Sequence, residues 1–286
     1  MIDTRAILIW PVLVAQLLIF GTAAFALIFA PVAIDESGTR LDSAVKLWRA
    51  LAILNLAMSP LAFIEIGSGM AQMTWMQTLP LMPEIMRETV AGRFWMWRLV
   101  AALTLAVAVW LPAPATRVAL AALVLAAILI VLSSLTSHAI DKDALVIAIY
   151  STHQAAVGLW LGALVSLLMS ARLGTGGLEA MTPRVSRVCA WSVGIIVISG
   201  ALTAFQWLGW NLHLLVDSAY GRTLTWKIMV ATPALLLGAF NRYWQVPRVE
   251  QPSARGILIR SVSAECVILL AVLAWSASLA NTPPPH

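Results

Sequence analysis

Long apolar runs are the feature of this sequence that most constrains the fold. Eight predominantly apolar stretches, bounded by charged residues, Pro or Gly, follow one another along the 286 residues. A helix needs about twenty such residues to cross roughly 30 Å of hydrocarbon, and no alternation typical of a transmembrane barrel recurs. We therefore predict an all-α integral membrane protein, a bundle of about eight transmembrane helices. The predicted spans are 6–30, 47–69, 94–111, 118–137, 143–169, 185–209, 222–244 and 257–280.

The composition excludes the soluble classes of protein. Hydrophobic residues make up 61% of the chain and charged residues only 11%, whereas about a quarter of an ordinary soluble domain is charged. The 18 Lys and Arg residues are spread over the connections between the apolar runs. We therefore expect the chain to lie in a lipid bilayer and not to bind nucleic acid. The chain has no phosphate-binding Gly-x-x-x-x-Gly-Lys-Ser/Thr motif, and we expect it not to be an enzyme.

The distribution of positive charge predicts the orientation. An even number of spans places both termini on one side of the membrane, and basic residues favour the cytoplasmic side. Eleven of the 18 basic residues fall on the face opposite the termini, which leaves seven on the face of the termini. Both termini are therefore predicted to lie outside the cytoplasm. The eleven are Arg40, Lys46, Arg49, Arg117, Arg172, Arg184, Arg187, Arg242, Arg248, Arg255 and Arg260.

A methionine-rich segment, residues 70–92, follows the second span on the predicted outer face. Thioether sulfur is a soft ligand that suits Cu(I), and three of the methionines, spaced i, i+3 and i+6, would share one face of a helix. The alternative is an interfacial segment whose methionines pack into lipid. The five methionines are Met70, Met73, Met76, Met82 and Met86.

Two histidines and a glutamate share that face. His138 ends the fourth span, His213 follows the sixth, and Glu65 lies near the outer end of the second, beneath the methionines. Each histidine alone is typical of a solvated loop. Imidazole suits copper, zinc, iron and nickel alike, so these histidines select no metal by themselves.

Two ionisable residues fall deep inside predicted spans. His153 lies about 15 Å into the fifth span, near the bilayer midplane, and Glu265 about 12 Å into the last. Such groups are costly in hydrocarbon and indicate a functional site. The structural alternatives are a neutral His153 bonded to a neighbouring helix and an ion pair between Glu265 and Arg260, one turn before it.

Together these residues predict a path for a soft cation. Cu(I) is the favoured cargo and zinc remains possible. Two thiols in the inner half of the spans, Cys189 and Cys266, are more typical of inert packing. A membrane redox protein that binds haem, and a copper-handling scaffold or sensor without transport, remain as alternatives. The predicted metal ligands are His153, His138, His213, Met70, Met73, Met76, Glu65 and Glu265.

Short sequence patches in the second half of the chain form a recognisable pattern: 136–139, 153–156, 159–162, 220–222, Lys227, 241–242, Arg260 and Glu265. Together they resemble the CopD/PcoD copper-resistance family of bacterial inner-membrane proteins. The resemblance is clear over residues 130–285 and diffuse over 1–129, and Ser137 stands where many members have Gly. It implies copper transport across the inner membrane, from periplasm to cytoplasm, and it agrees with the outside N-terminus predicted from charge. It also implies a separate periplasmic CopC-like copper-binding protein as partner.

Overall fold

The computed structural model of the chain describes residues 4–29, 37–136, 143–173, 178–211, 213–283 and 285. Helices joined by turns make up these ranges, in which no β-strand occurs. The helices are α1 (Thr4–Phe29), α2 (Ser37–Ala71), α3 (Trp75–Thr78), α4 (Met82–Glu88), α5 (Val90–Ala108), α6 (Ala115–Leu135), α7 (Ala144–Leu173), α8 (Leu178–Leu208), α9 (Leu214–Asp217), α10 (Ala219–Phe240) and α11 (Pro252–Ala280).

The eight predicted spans are confirmed as helices. Within the described ranges, eight helices are long and apolar enough to cross a membrane: α1, α2, α5, α6, α7, α8, α10 and α11. The largest difference is at α2, which begins at Ser37 rather than at residue 47. Its first turns carry Asp42, Lys46 and Arg49. Backbone hydrogen bonding continues through this polar stretch, so the apolar run marks where the span begins and not where the helix begins.

The first and last helices bring both chain ends to one end of the bundle. Ala6 and Leu13 of α1 pack against Ala277 of α11, and the Trp10 indole donates a hydrogen bond of 2.9 Å to the Leu270 carbonyl. We call this the terminal end and the other the opposite end. The termini therefore share one side, as the even number of spans predicts. That this side faces the periplasm stays a prediction of the charge count.

Helix α1 is the centre of the bundle and packs against α2, α6, α7 and α11. Glycines bring its backbone unusually close to α7. A Cβ atom added to Gly21 would lie 1.8 Å from the Gly158 carbonyl oxygen, and one added to Gly162 would lie 2.5 Å from the Gly21 Cα. Small residues four apart allow this approach in membranes, where helices associate through close packing rather than through the hydrophobic effect.

Buried polar groups attach α2 to the same central helix. The Trp48 indole donates a 2.8 Å hydrogen bond to the Thr22 hydroxyl, and the Asn55 amide donates one of 3.1 Å to the Val12 carbonyl. Trp48 and Asn55 are fully buried. These interhelical hydrogen bonds satisfy groups that lipid could not satisfy, and they fix the rotation of α2 about its axis.

Helices α8 and α10 form the periphery. Helix α8 packs on α7 and α10 packs on α11, but the two make little contact with each other. Their outward faces carry exposed apolar side chains such as Trp191, Ile198 and Leu236, as lipid-facing helices do. A gap therefore remains between α8 and α10, with α7 and α11 behind it.

Replacing Gly162 with alanine tests the close approach of α1 and α7. The added methyl group meets backbone atoms that cannot move aside, so Gly162→Ala is expected to destabilise the protein by about 1–3 kcal/mol. The measurement is thermal unfolding of the detergent-solubilised protein. Gly194→Ala on α8 is the matched control, because nothing lies within 4 Å of its added Cβ. Equal melting temperatures for the two variants would contradict the packing described.

Candidate functional site

The methionine-rich segment lies at the terminal end but is not one continuous helix. Helix α2 ends at Ala71, and Gln72 has a φ of 53°, in the left-handed region. The expectation that Met70, Met73 and Met76 share one helical face is therefore wrong, because the break at Gln72 places them on α2, on a turn and on α3. All three side chains are exposed.

Glu65 attaches this segment to the bundle. Its carboxylate accepts a 2.5 Å hydrogen bond from the Trp75 indole and lies 4.0 Å from the Arg5 guanidinium. Met82, which belongs to this segment, is buried in a cluster with Phe63 and Trp95, whose rings stack on each other. The partners of Glu65 make it an anchor of the segment, and its role as a metal ligand stays a prediction.

Of the two histidines predicted as outer ligands, the structure describes only His213. His138 lies outside the described residues. His213 is exposed, immediately before α9 at the terminal end. Ser199, which contacts His153, precedes the end of α8 by nine residues, or about 14 Å. His153 and His213 are therefore too far apart along the bundle to be the two axial ligands of one haem.

His153 projects from α7 toward α8, where its Nδ1 lies 3.0 Å from the Ser199 hydroxyl oxygen. The Ser199 hydroxyl donates its own hydrogen to the Ile195 carbonyl at 2.5 Å. A Ser199 hydroxyl that donates to Ile195 accepts from His153, and this pairing favours the tautomer with its proton on Nδ1. This arrangement leaves the lone pair on Nε2, the nitrogen that a metal ion could bind.

The surroundings of His153 contain few further ligands. On α8, a Cβ atom on Gly200 would lie 3.4 Å from the His153 Cε1. Over the described part of the chain, no group of three or more His, Cys, Asp or Glu side chains could hold a metal ion. The hydrogen bond to Ser199 is also what a structural histidine would make, so the geometry is consistent with both interpretations of His153.

Glu265 is the most deeply buried acidic side chain described. It is 1% exposed, and its two oxygens accept hydrogen bonds of 2.8 Å from the Trp160 indole and 3.0 Å from the Asn241 amide. The alternative of an ion pair with Arg260 does not hold: Arg260 is exposed, and neutral donors from α7 and from the end of α10 hold the carboxylate instead. The helical spacing that suggested Arg260 is local, whereas these donors come from other helices.

Two local features of α10 shape the contact with Glu265. Helix α10 widens into a π-helical turn over Asn241–Gln245, a geometry often found at functional sites. The Asn241 side-chain oxygen Oδ1 accepts a hydrogen bond from the Ser261 hydroxyl of α11, which orients the amide nitrogen toward Glu265. One turn earlier, Gly238 leaves room for the carboxylate, because a Cβ there would lie 3.3 Å from its Oε1.

A cavity of about 370 Å³ lies in the gap between α8 and α10 and reaches Glu265. We call it the Glu265 cavity. Its polar lining includes Glu265, Asn241, Arg242 and Cys189, and most of the remaining lining is apolar. Exposed Val197, Ala239 and Tyr243 also line it, so it opens through the side of the bundle.

His153 and Glu265 occupy successive levels of the bundle. Glu265 lies one residue from the centre of α11, whereas His153 lies about 8 Å from the centre of α7, toward the terminal end. Trp160, which contacts Glu265, follows His153 by seven residues, or about 10 Å. The group nearest mid-helix is therefore Glu265 rather than His153, and both remain within the ~30 Å of hydrocarbon.

Sequence reasoning missed the neighbours of Glu265. Trp160 and Asn241 fall in patches that carry the family resemblance, yet their contact with the carboxylate depends on which helices adjoin. Gly238 has no sequence signal of its own. Cys189 lines the cavity, whereas Cys266 packs into the apolar core. The position of each cysteine along its predicted span does not reveal this difference.

Comparisons with known proteins agree with this architecture. A family model described as Copper resistance protein D matches residues 179–279. A second, described as Copper resistance protein D-like, N-terminal domain, matches residues 1–146. Copper resistance protein D of Pseudomonas syringae pv. tomato is 25% identical over 289 residues, which cover 92% of each chain. No solved structure matches the chain.

The eight apolar helices and these matches define a multi-pass membrane protein of copper resistance. The chain belongs to the copper resistance protein D family, CopD. The predicted resemblance is confirmed, and it extends through the N-terminal half, where the sequence patches are diffuse.

A double-mutant cycle tests the hydrogen bond between Trp160 and Glu265. Trp160→Phe removes the indole donor and is expected to destabilise the protein by about 1–3 kcal/mol, because a buried carboxylate oxygen loses its partner. In a Glu265→Gln background the same change should cost about 1 kcal/mol less. Thermal unfolding in detergent gives the four values. Trp191→Phe, whose ring is 73% exposed, is the control, and strictly additive effects would contradict the interaction.

Proposed function

We propose that the protein moves copper across the bacterial inner membrane, from the periplasm to the cytoplasm. The observation that carries this proposal is the half-buried imidazole of His153 between α7 and α8, whose Nδ1 lies against the Ser199 hydroxyl and so favours Nε2 as the nitrogen that binds. Family membership supports copper as the cargo. A histidine that binds a metal ion through one nitrogen commonly donates its other N–H to a fixed partner, which here is Ser199.

The terminal end is the proposed entry. Both termini would lie in the periplasm, and the exposed thioethers of Met70, Met73 and Met76 would capture Cu(I) there. His213, and His138 from outside the described residues, would add imidazole ligands. A periplasmic CopC-like protein would deliver the ion. Glu65, held by Trp75 and Arg5, would keep the segment in place.

Passage inward would lead from His153 to the level of Glu265. A permeating ion must bind well enough to enter and weakly enough to leave. Since Glu265 lies about 10 Å further along, the carboxylate would attract an ion released from the imidazole.

Replacing His153 tests the proposal directly. His153→Ala removes the free Nε2 and is expected to abolish copper accumulation by cells. Ser199→Ala releases the ring and should weaken copper handling by about tenfold. The measurement is cellular copper by elemental analysis, at matched levels of membrane-inserted protein. Thr152→Ala, an exposed neighbour on α7, is the control and should leave accumulation unchanged. Undiminished accumulation in His153→Ala would remove the central residue of the route.

The thioethers give a second prediction. A Met73→Leu, Met76→Leu double variant keeps the apolar volume but removes both sulfurs, so uptake should need several-fold more copper for half its maximal rate. The maximal rate should stay the same because the route within the bundle is intact. Met229→Leu, exposed on α10, is the matched control. An unchanged copper requirement would favour the lipid-packing interpretation of the segment.

A further inference from the structure

The Glu265 cavity holds a buried carboxylate that no described cation neutralises. The donors to Glu265, Trp160 and Asn241, are both neutral. Arg242 lines the same cavity, but its guanidinium donates to the carbonyl and hydroxyl oxygens of Ser186. A carboxylate buried in a medium of low dielectric must be neutralised by a proton or by a bound cation.

The carboxylate retains the capacity to bind a cation. Each of its oxygens accepts one described hydrogen bond, from Trp160 to Oε1 and from Asn241 to Oε2. An ionised carboxylate offers about four lone-pair positions, so about two remain. The cavity beside it, about 370 Å³, is far larger than the space that one water molecule occupies. The cavity therefore offers room for a metal ion beside a carboxylate that keeps both of its donors.

Cys189 supplies a soft ligand on the wall of the same cavity. It is half-buried on α8, whereas Cys266, although adjacent to Glu265 in sequence, is buried in the apolar core. Thiolate selects soft cations such as Cu(I), and carboxylate adds the negative charge that lowers the cost of burying a cation. The two cysteines therefore differ in what they can do: only Cys189 lines the space next to the carboxylate.

We propose that the Glu265 cavity binds Cu(I), with the Cys189 sulfur and the Glu265 carboxylate as ligands. Before an ion binds, the Cys189 thiol and the Glu265 carboxyl group are both protonated and neutral. Binding of Cu(I) releases both protons to solvent as the sulfur–copper and oxygen–copper bonds form, so the occupied site carries one negative charge in a cavity that Arg242 also lines. The copper stays Cu(I) throughout. This inference rests on the proposed function in taking copper as the cargo, and it assigns the inner binding site on the route.

Thiol labelling of two full-length single-cysteine proteins tests the site. In Cys266→Ser only Cys189 remains, and in Cys189→Ser only Cys266 remains. Each protein, purified in detergent, is treated with N-ethylmaleimide under anaerobic reducing conditions with and without Cu(I). Because copper occupies the sulfur that would attack the reagent, labelling of Cys189 should slow by about tenfold or more. Labelling of Cys266 should not respond to Cu(I).

Removing the carboxylate tests the contribution of Glu265 separately from that of Cys189. Glu265→Gln in the Cys266→Ser background should raise the Cu(I) concentration needed for protection by about tenfold or more, since only the charge is lost. Glu179→Gln is the matched control, because Glu179 is an exposed carboxylate on the same helix as Cys189, paired with Arg255. Absence of protection at Cys189, or equal protection in Glu265→Gln, would overturn the proposal.

A spectroscopic measurement keeps the test decisive if Glu265→Gln does not fold. Copper-edge X-ray absorption of the Cys266→Ser protein loaded with one equivalent of Cu(I) should show a sulfur ligand that is lost on prior alkylation of Cys189. A spectrum unaffected by alkylation would overturn the site. The proposed transport is judged separately: protection without cellular uptake contradicts transport alone, and uptake with an unprotected Cys189 contradicts this site alone.

Discussion

The backbone contact between α1 and α7 is the constraint on which the rest of the structure depends. Gly21, Gly158 and Gly162 let the two helices approach until a single added methyl group would meet backbone atoms. This contact fixes the rotation of α7, and α7 carries both His153 and Trp160. The two residues are seven positions apart and lie on nearly the same face of α7, where His153 contacts Ser199 on α8 and, two turns further on, Trp160 contacts Glu265 on α11. In a bilayer such rigid packing substitutes for the hydrophobic effect, which does not act between helices surrounded by lipid.

The two polar levels of the bundle satisfy their hydrogen bonds in different ways. At His153 a single hydroxyl lies 3.0 Å from Nδ1 and favours a proton on that nitrogen. At Glu265 two neutral donors share the carboxylate, and the π-helical turn of α10 places one of them. Low dielectric makes both arrangements sensitive to the loss of a partner. The two levels therefore carry different chemical groups. The imidazole of His153 lies nearer the terminal end, and the carboxyl group of Glu265 lies near the middle of the bundle.

Much of the fold is readable from the sequence, because span length is a property of each segment alone. The eight spans and the shared side of the termini follow from apolar length and the parity of the spans. The burial of Glu265 is also apparent from its depth in the last span. Its partners are not: Arg260 is one turn away in sequence, but Asn241 and Trp160 reach the carboxylate because α10 and α7 adjoin α11. The prediction that Met70, Met73 and Met76 share one helical face is wrong for a local reason. Their spacing implies a continuous helix, but α2 ends at Ala71 and Gln72 has a left-handed φ. Which cysteine faces the cavity likewise depends on helix neighbours.

The sideways opening of the Glu265 cavity has a consequence for the membrane itself. Because α8 and α10 make little contact, the open side of the cavity would face acyl chains in a bilayer. The packing of the surrounding phospholipids would then influence the dielectric environment of Glu265. A cell that remodels its lipids would thereby alter the chemistry of this protein without changing a single residue.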